Sequence, residues 1–131
     1  MRHLLDLVLP TQCAGCGAPG PAACAACIAA LDLPARPAWP TPAPIGLPTP
    51  YAVTAYAATT RAFLLAYKED GVVALQHPLG RALAASVEAA VHDLAGQRPC
   101  GGRPLWLVPV PSSRAARRRR GDDVVARLAA R

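Results

Sequence analysis

The sequence predicts an α/β chain fronted by a small cysteine-rich module. Three observations carry that reading. Residues 11–33 hold four of the five cysteines, as two Cys-x-x-Cys pairs set among Gly and other small residues. Residues 34–50 contain seven Pro in seventeen positions, which gives an extended linker with little helix or sheet. Residues 51–131 then follow the order strand, helix, helix, strand, helix, a pattern that points to a partly parallel sheet. The expected units are a cysteine module over 1–33, a linker over 34–50 and an α/β region over 51–131.

Each element has a local reason. Leu4, Leu5, Leu7, Val8 and Leu9 suggest a short amphipathic helix that stops at Pro10. The run is too short for a signal peptide, and Asp6 interrupts it. Residues 51–58 carry Tyr51, Val53 and Thr54, which favour a strand. Thr59 or Thr60 can cap a helix through about Glu69, with Phe63, Leu64 and Tyr67 on one face and Gly71 ending it. Pro78 suits the first turn of a second helix. Leu79, Leu83, Val87 and Val91 follow at a spacing of four with Leu94 beside them, and Gly96 closes the helix. Leu105–Val110 is a continuous apolar run, as in a buried strand, with Pro109 at its end or on an edge. A basic loop over Ser112–Gly121 leads to a last helix marked by Val124, Val125 and Leu128.

Composition narrows the function classes. Apolar residues make up 53% and charged residues 17% of the 131 positions, so the chain is neither an acidic disordered segment nor a collagen-like repeat. No apolar run approaches the roughly 18 residues of a membrane span. The formal charge of +6 is local. Residues 1–110 carry seven basic and six acidic groups, whereas residues 111–131 carry seven Arg against Asp122 and Asp123. The expected compartment is the reducing cytoplasm, where cysteines serve as metal ligands or catalytic groups more often than as disulfides.

Cys13-Ala-Gly-Cys16 and Cys24-Ala-Ala-Cys27 are separated by seven residues. Two thiolates two residues apart reach one ion from a single tight turn, and Gly17 helps the first turn because Gly accepts positive φ. Two such turns supply four sulfurs at about 2.3 Å from a tetrahedral Zn²⁺. A closed Cys₄ set has no open coordination position, so such a zinc is structural. A redox dithiol and a pair of disulfides are the alternatives; the first asks for a helix N-terminus in a βαβ setting, the second for an oxidising compartment. Cys100 stands alone in a Gly-rich loop and reads as a free thiol.

The basic segment offers a second chemistry. Val108-Pro-Val-Pro111 precedes Ser112, Ser113, Arg114, Arg117, Arg118, Arg119, Arg120 and Gly121. A loop after a parallel strand is where α/β folds place ligands. Hydroxyls, amides and guanidinium forks all suit phosphate oxygens. Ser112, Ser113, Arg117, Arg119, Arg120 and Gly121 are therefore candidate phosphate contacts, and Lys68, the only lysine, joins them. Nonspecific attraction to a polyanion is the competing reading. Asp122 and Asp123 read as acids in the first turn of a helix, favoured by its dipole. His3, His77 and His92 lack metal spacing.

Taken together these segments resemble the ComF family, competence-associated proteins similar to phosphoribosyltransferases with a zinc-binding N-terminal region. The residues that carry the resemblance are Leu4–Pro10, Cys13 to Cys27, Tyr56 to Lys68 with Arg61, then Gly71, Val108–Pro111, and Arg120-Gly121 with Leu128-Ala129. They span nearly the whole chain in the family's order. The resemblance implies a zinc-ribbon-like module followed by the first part of a type I phosphoribosyltransferase-like fold. A complete homologue would hold phosphoribosyl pyrophosphate with Mg²⁺. Asp122-Asp123-Val124 stands where the family has Phe-Asn-Gln, and the family's Asp-Asp-Thr-Thr-Gly loop is absent from these 131 residues. The chain is accordingly expected to be an inactive N-terminal portion.

Three functions compete. The first is the front of a ComF-like phosphoribosyltransferase-family protein linked to DNA uptake. The second is a zinc-stapled nucleic-acid-binding module that uses Arg114–Arg120. The third is a zinc-stapled module that docks on a protein partner, with the linker letting its two parts move independently. The implied partners are single-stranded DNA, a phosphorylated metabolite or a protein of the DNA-processing machinery, and no membrane.

Overall fold

A computed structural model describes residues 12–97, 105–121 and 123–130. The expected helix at Leu4–Pro10, the loop with Cys100, His3 and Asp122 lie outside the described residues. Helices dominate: α1 (Ala25–Ala29), α2 (Ala58–Lys68), a 3₁₀ turn (Val73–Leu75) leading directly into α3 (Gln76–Gln97), α4 (Arg114–Arg120) and α5 (Val124–Ala129). Among the described residues the sheet has two short strands, β1 (Arg36–Pro37) and β2 (Tyr51–Ala52). They pair antiparallel in the register Arg36 to Ala52 and Pro37 to Tyr51. The partly parallel sheet expected from the sequence is therefore replaced here by a small antiparallel pair. The α/β description holds only as mixed helix with this sheet.

The β1–β2 pairing changes the role of the proline-rich stretch. Its two ends meet, with the Ala38 amide donating to the Pro50 carbonyl at 2.8 Å. The intervening chain forms an exposed excursion that begins and ends at the sheet. Pro37 is tolerated because a two-stranded sheet consists only of edges.

Helix α2 begins differently from expectation. Its N-cap is Ala57, with no side-chain cap, and Ala58 takes φ 41°. Thr59 and Thr60 thus fall inside the first turn and do not cap it. The other end follows the sequence. Gly71 takes φ 68°, and the Val72 amide returns to the Ala66 carbonyl at 3.1 Å. That turn delivers the chain to the 3₁₀ segment and α3, where Pro78 sits in the first turn as its missing donor requires.

The core is assembled around α2. Phe63 and Tyr67, with Leu75, are the largest fully buried side chains. Leu31, Val53, Ala66, Leu79, Ala82, Val124 and Leu128 complete it, together with Cys13 and Cys27. Helix α3 packs on β2, α2 and α5. Tyr51 also reaches α3, where burial and a hydrogen bond to Asp93 raise its pKa. The apolar stripe of α3 is buried at Leu79 and opens towards its C-terminal end, where Leu94 is exposed. Helix α5 is held by Tyr67, whose hydroxyl donates to the Val124 carbonyl at 3.3 Å. Arg127 Nε donates to the same hydroxyl at 3.3 Å, and its guanidinium carbon lies 5.8 Å from the ring centroid.

Two expectations fail beyond residue 104. Leu105–Val110 forms no strand among the described residues and is exposed throughout its apolar positions. The small sheet offers it no neighbour there, Pro109 removes one of its donors, and Pro111 directly after it lacks another. The basic stretch is a helix instead of a loop. Ser113 caps α4 by accepting from the Ala116 amide at 3.2 Å, and Gly121 ends it in the left-handed region at φ 75°. Ala and Arg, both good helix formers, fill the turns between them.

A candidate metal centre of four cysteines

The first pair is held by a tight turn. The Gly17 amide donates to the Cys13 carbonyl at 2.8 Å and the Cys13 amide to the Ala18 carbonyl at 2.9 Å. Gly17 takes φ 74°, the conformation for which the sequence supplies a glycine. An antiparallel bridge between Gln12 and Pro19 closes the base of this loop. The second pair is mounted on a helix start. Cys24 is the N-cap of α1 and Cys27 lies in its first turn. The Ala14 amide donates to the Ala22 carbonyl at 2.9 Å and stitches the two halves together.

This backbone brings the four sulfurs of Cys13, Cys16, Cys24 and Cys27 within 4.8 Å of one another. Cys16 and Cys24 are 3.8 Å apart, sulfur to sulfur. Sulfurs about 2.3 Å from a tetrahedral ion lie about 3.8 Å from each other, so the cluster has the dimensions of one Cys₄ site. All four cysteines are free thiols, which leaves the two-disulfide alternative without support. A redox dithiol needs one pair, whereas here two pairs converge.

Electrostatics favour the same occupant. The Cys24 amide donates to Cys13 Sγ at 3.4 Å. That amide first, then the amide of Cys16, brings the Cys13 thiol down from 9.0 to about 6. Burial first, then its sulfur neighbours, pushes the Cys27 thiol up to about 12. One thiolate forms readily near neutral pH, but a full set of four crowds negative charge into a half-buried cluster. A divalent cation with soft-ligand affinity offsets that repulsion, and binding releases protons. The residues therefore fit a structural zinc.

Gly15 joins the cluster to the core. A Cβ placed there would lie 2.8 Å from Thr59 Cγ2 and 2.9 Å from both Cys27 Sγ and Phe63 Cε1. The first turn thus rests directly on α2, and only glycine permits that approach. Thr59, expected as a cap, serves instead as packing surface. The sequence carries the signal for Gly15 only as the second spacer of Cys13-Ala-Gly-Cys16.

The candidate phosphate residues do not converge in the same way. The Ser112 amide and hydroxyl both donate to Asp123, at 3.3 and 3.2 Å. Asp123 Oδ1 also accepts from the Val125 and Ala126 amides and caps α5. Burial opposes ionisation of Asp123, but these donors outweigh it and hold the carboxyl below its ordinary range. The hydroxyl of Ser113 is engaged by α4. Arg117 is exposed on α4, Arg119 and Arg120 fall in its last turn, and Gly121 terminates it. Lys68 lies at the end of α2, beside an apolar groove of about 300 Å³ that Leu64, Leu79, Leu83, Val125 and Leu128 help to line. Of the histidines, His77 borders two surface cavities near Arg81 and is not among the residues of the cysteine cluster.

Comparison with protein-family models, with curated proteins and with solved structures returned no match. Among the described residues no helix is long and apolar enough to cross a membrane.

Proposed function

We propose that this chain is a zinc-stapled protein of the ComF kind, acting in a reducing cytoplasm in the handling of a phosphorylated substrate linked to DNA uptake. The observation that carries the proposal is the four-sulfur cluster seated on α2 through Gly15. The ordered set of segments that resembles the family supports it further. Zinc, when bound, supplies a cross-link between the two cysteine pairs and no open coordination position. The cysteine backbone sets the spacing of the ligands, Gly15 fixes the contact with α2, and α2 carries Arg61 exposed and Lys68 half-buried at its end beside the apolar groove. The proposed role of these 131 residues is bracing and binding, since they contain no Asp-Asp-Thr-Thr-Gly substrate loop.

Native mass spectrometry of the full chain tests the metal site. One zinc per chain is expected, lost on chelation, and lost or greatly weakened in Cys13→Ser and Cys27→Ser. A chain that binds no zinc, or retains it in both variants, would overturn the reading. Binding of phosphoribosyl pyrophosphate with Mg²⁺, followed by calorimetry, tests the family assignment separately.

A second reading has its own observation. Arg114, Arg117 and Arg118 are exposed on a helix capped at both ends, so their charges are held on a defined surface. That surface suits the phosphates of single-stranded DNA, and the salt dependence of binding decides between it and a small phosphorylated metabolite.

A further inference from the structure

We infer that the cavity over the first turns of α3 is a binding site for a small phosphomonoester, with Gln76, His77 and Arg81 as its polar groups. The cavity has a volume of about 510 Å³. Gln76 carries the inference. It is the one buried polar residue among the described residues, at 9% exposure, and no described residue makes a hydrogen bond to its side chain. It nonetheless lines the cavity, so the little it exposes faces that space. A buried amide without a partner is costly, and one that borders a cavity is available to a ligand.

The rim supplies the charge. His77 and Arg81 are exposed, lie one helical turn apart on α3 and both line the cavity. Arg81 Nη2 donates to Asp32 Oδ1 at 2.7 Å. Asp32 lines a neighbouring cavity of about 250 Å³ and not this one. The pair uses a single donor of the guanidinium fork and leaves the others for an anion. The imidazole of His77 has an N–H donor in either protonation state. Position adds to both, because α3 runs for 22 residues and the positive end of its dipole lies here.

Size and lining describe the rest of the ligand. A phosphate ion alone would leave most of the volume empty, and a space of this size holds a small organic molecule. Val73, Ala74 and Ala84 form an apolar wall, and Gly80 adds no side chain to it. The Gln76 amide offers a donor and an acceptor side by side, the combination that reads N6 and N7 of adenine. A nucleoside 5′-monophosphate brings together an oxyanion for Arg81 and His77, an apolar face and a matching edge for Gln76. The site shares no residue with the cysteine cluster, Lys68 or α4, so it stands or falls apart from the function proposed above.

The test is calorimetry on the full zinc-loaded chain with adenosine 5′-monophosphate, adenosine and inorganic phosphate, together with amide shifts by nuclear magnetic resonance. The monophosphate is expected to bind, and each of its two parts to bind more weakly. Its shifts should centre on residues 73–84. Arg81→Gln, at an exposed position, is expected to weaken binding about 10- to 100-fold. Gln76→Leu should weaken it as well, while raising the unfolding temperature of the ligand-free protein by removing an unpaired buried amide. Five results would each overturn the inference: no binding of the monophosphate, equal affinity for phosphate or adenosine, wild-type affinity in either variant, a lower unfolding temperature in Gln76→Leu, or shifts centred on Arg114–Arg120.

Discussion

Gly15 determines how closely the first cysteine turn can approach α2. The other glycine of that turn, Gly17, has open space around its α-carbon but a left-handed φ of 74°. The two therefore separate steric from conformational constraint. Gly15→Ala forces a methyl against Cys27 Sγ and Phe63 and should destabilise the zinc-loaded protein by about 1–3 kcal/mol. Gly17→Ala should lose about 1 kcal/mol through backbone strain alone. Urea unfolding gives both values, and competition with a zinc chelator should rank Gly15→Ala as the weaker metal holder. Equal effects would mean that the contact with α2 is unimportant to the site.

At the scale of elements, α4 and α5 form a coupled pair through Ser112, Ser113 and Asp123. Asp123 caps α5 while holding Ser112, and Ser113 caps α4, so the starts of the two helices are tied together at one short junction. An arginine helix fixed in this way makes a specific prediction for the nucleic-acid reading. The logarithm of single-strand affinity should fall linearly with the logarithm of salt concentration. Replacing Arg114, Arg117 or Arg118 by Ala should reduce that slope by about 0.7 each if the residue meets a phosphate. A slope unchanged in all three variants would remove α4 from the interface. The ends of α4 are legible in the sequence, as Ser before the run and Gly after it, but four consecutive arginines suggest a solvated loop when read as charge alone. The cysteine cluster is more legible because metal geometry restricts ligand spacing to a narrow set. The state of Leu105–Val110 is not legible locally, since six apolar residues pack inside a sheet or stand open according to what lies beside them.

For the whole molecule, the sequence suggests two parts joined by a linker, whereas the packing unites them. Cys13, Cys27 and Leu31 belong to the same core cluster as Phe63, Tyr67 and Leu75. The Arg81–Asp32 pair adds a link at 2.7 Å, though with both side chains more than half exposed it contributes little. Removing zinc should therefore loosen more than residues 11–33. Hydrogen exchange of the chelated protein is expected to show faster amides along α2 as well as in the cysteine turns. Protection of α2 equal to that of the zinc-loaded protein would restore the picture of two independent parts. The pairing that unites the molecule also isolates one piece of it. The chain leaves through Arg36–Pro37 and returns through Tyr51–Ala52, and of the contour between them Leu47, Pro48 and Thr49 border a cavity on α3 while the stretch before them is exposed. Doubling the length of such an excursion costs only about 0.6 kcal/mol. Residues 39–46, exposed throughout, are thus where this sequence can drift, lengthen or accept a grafted epitope while the metal centre and helices keep their places.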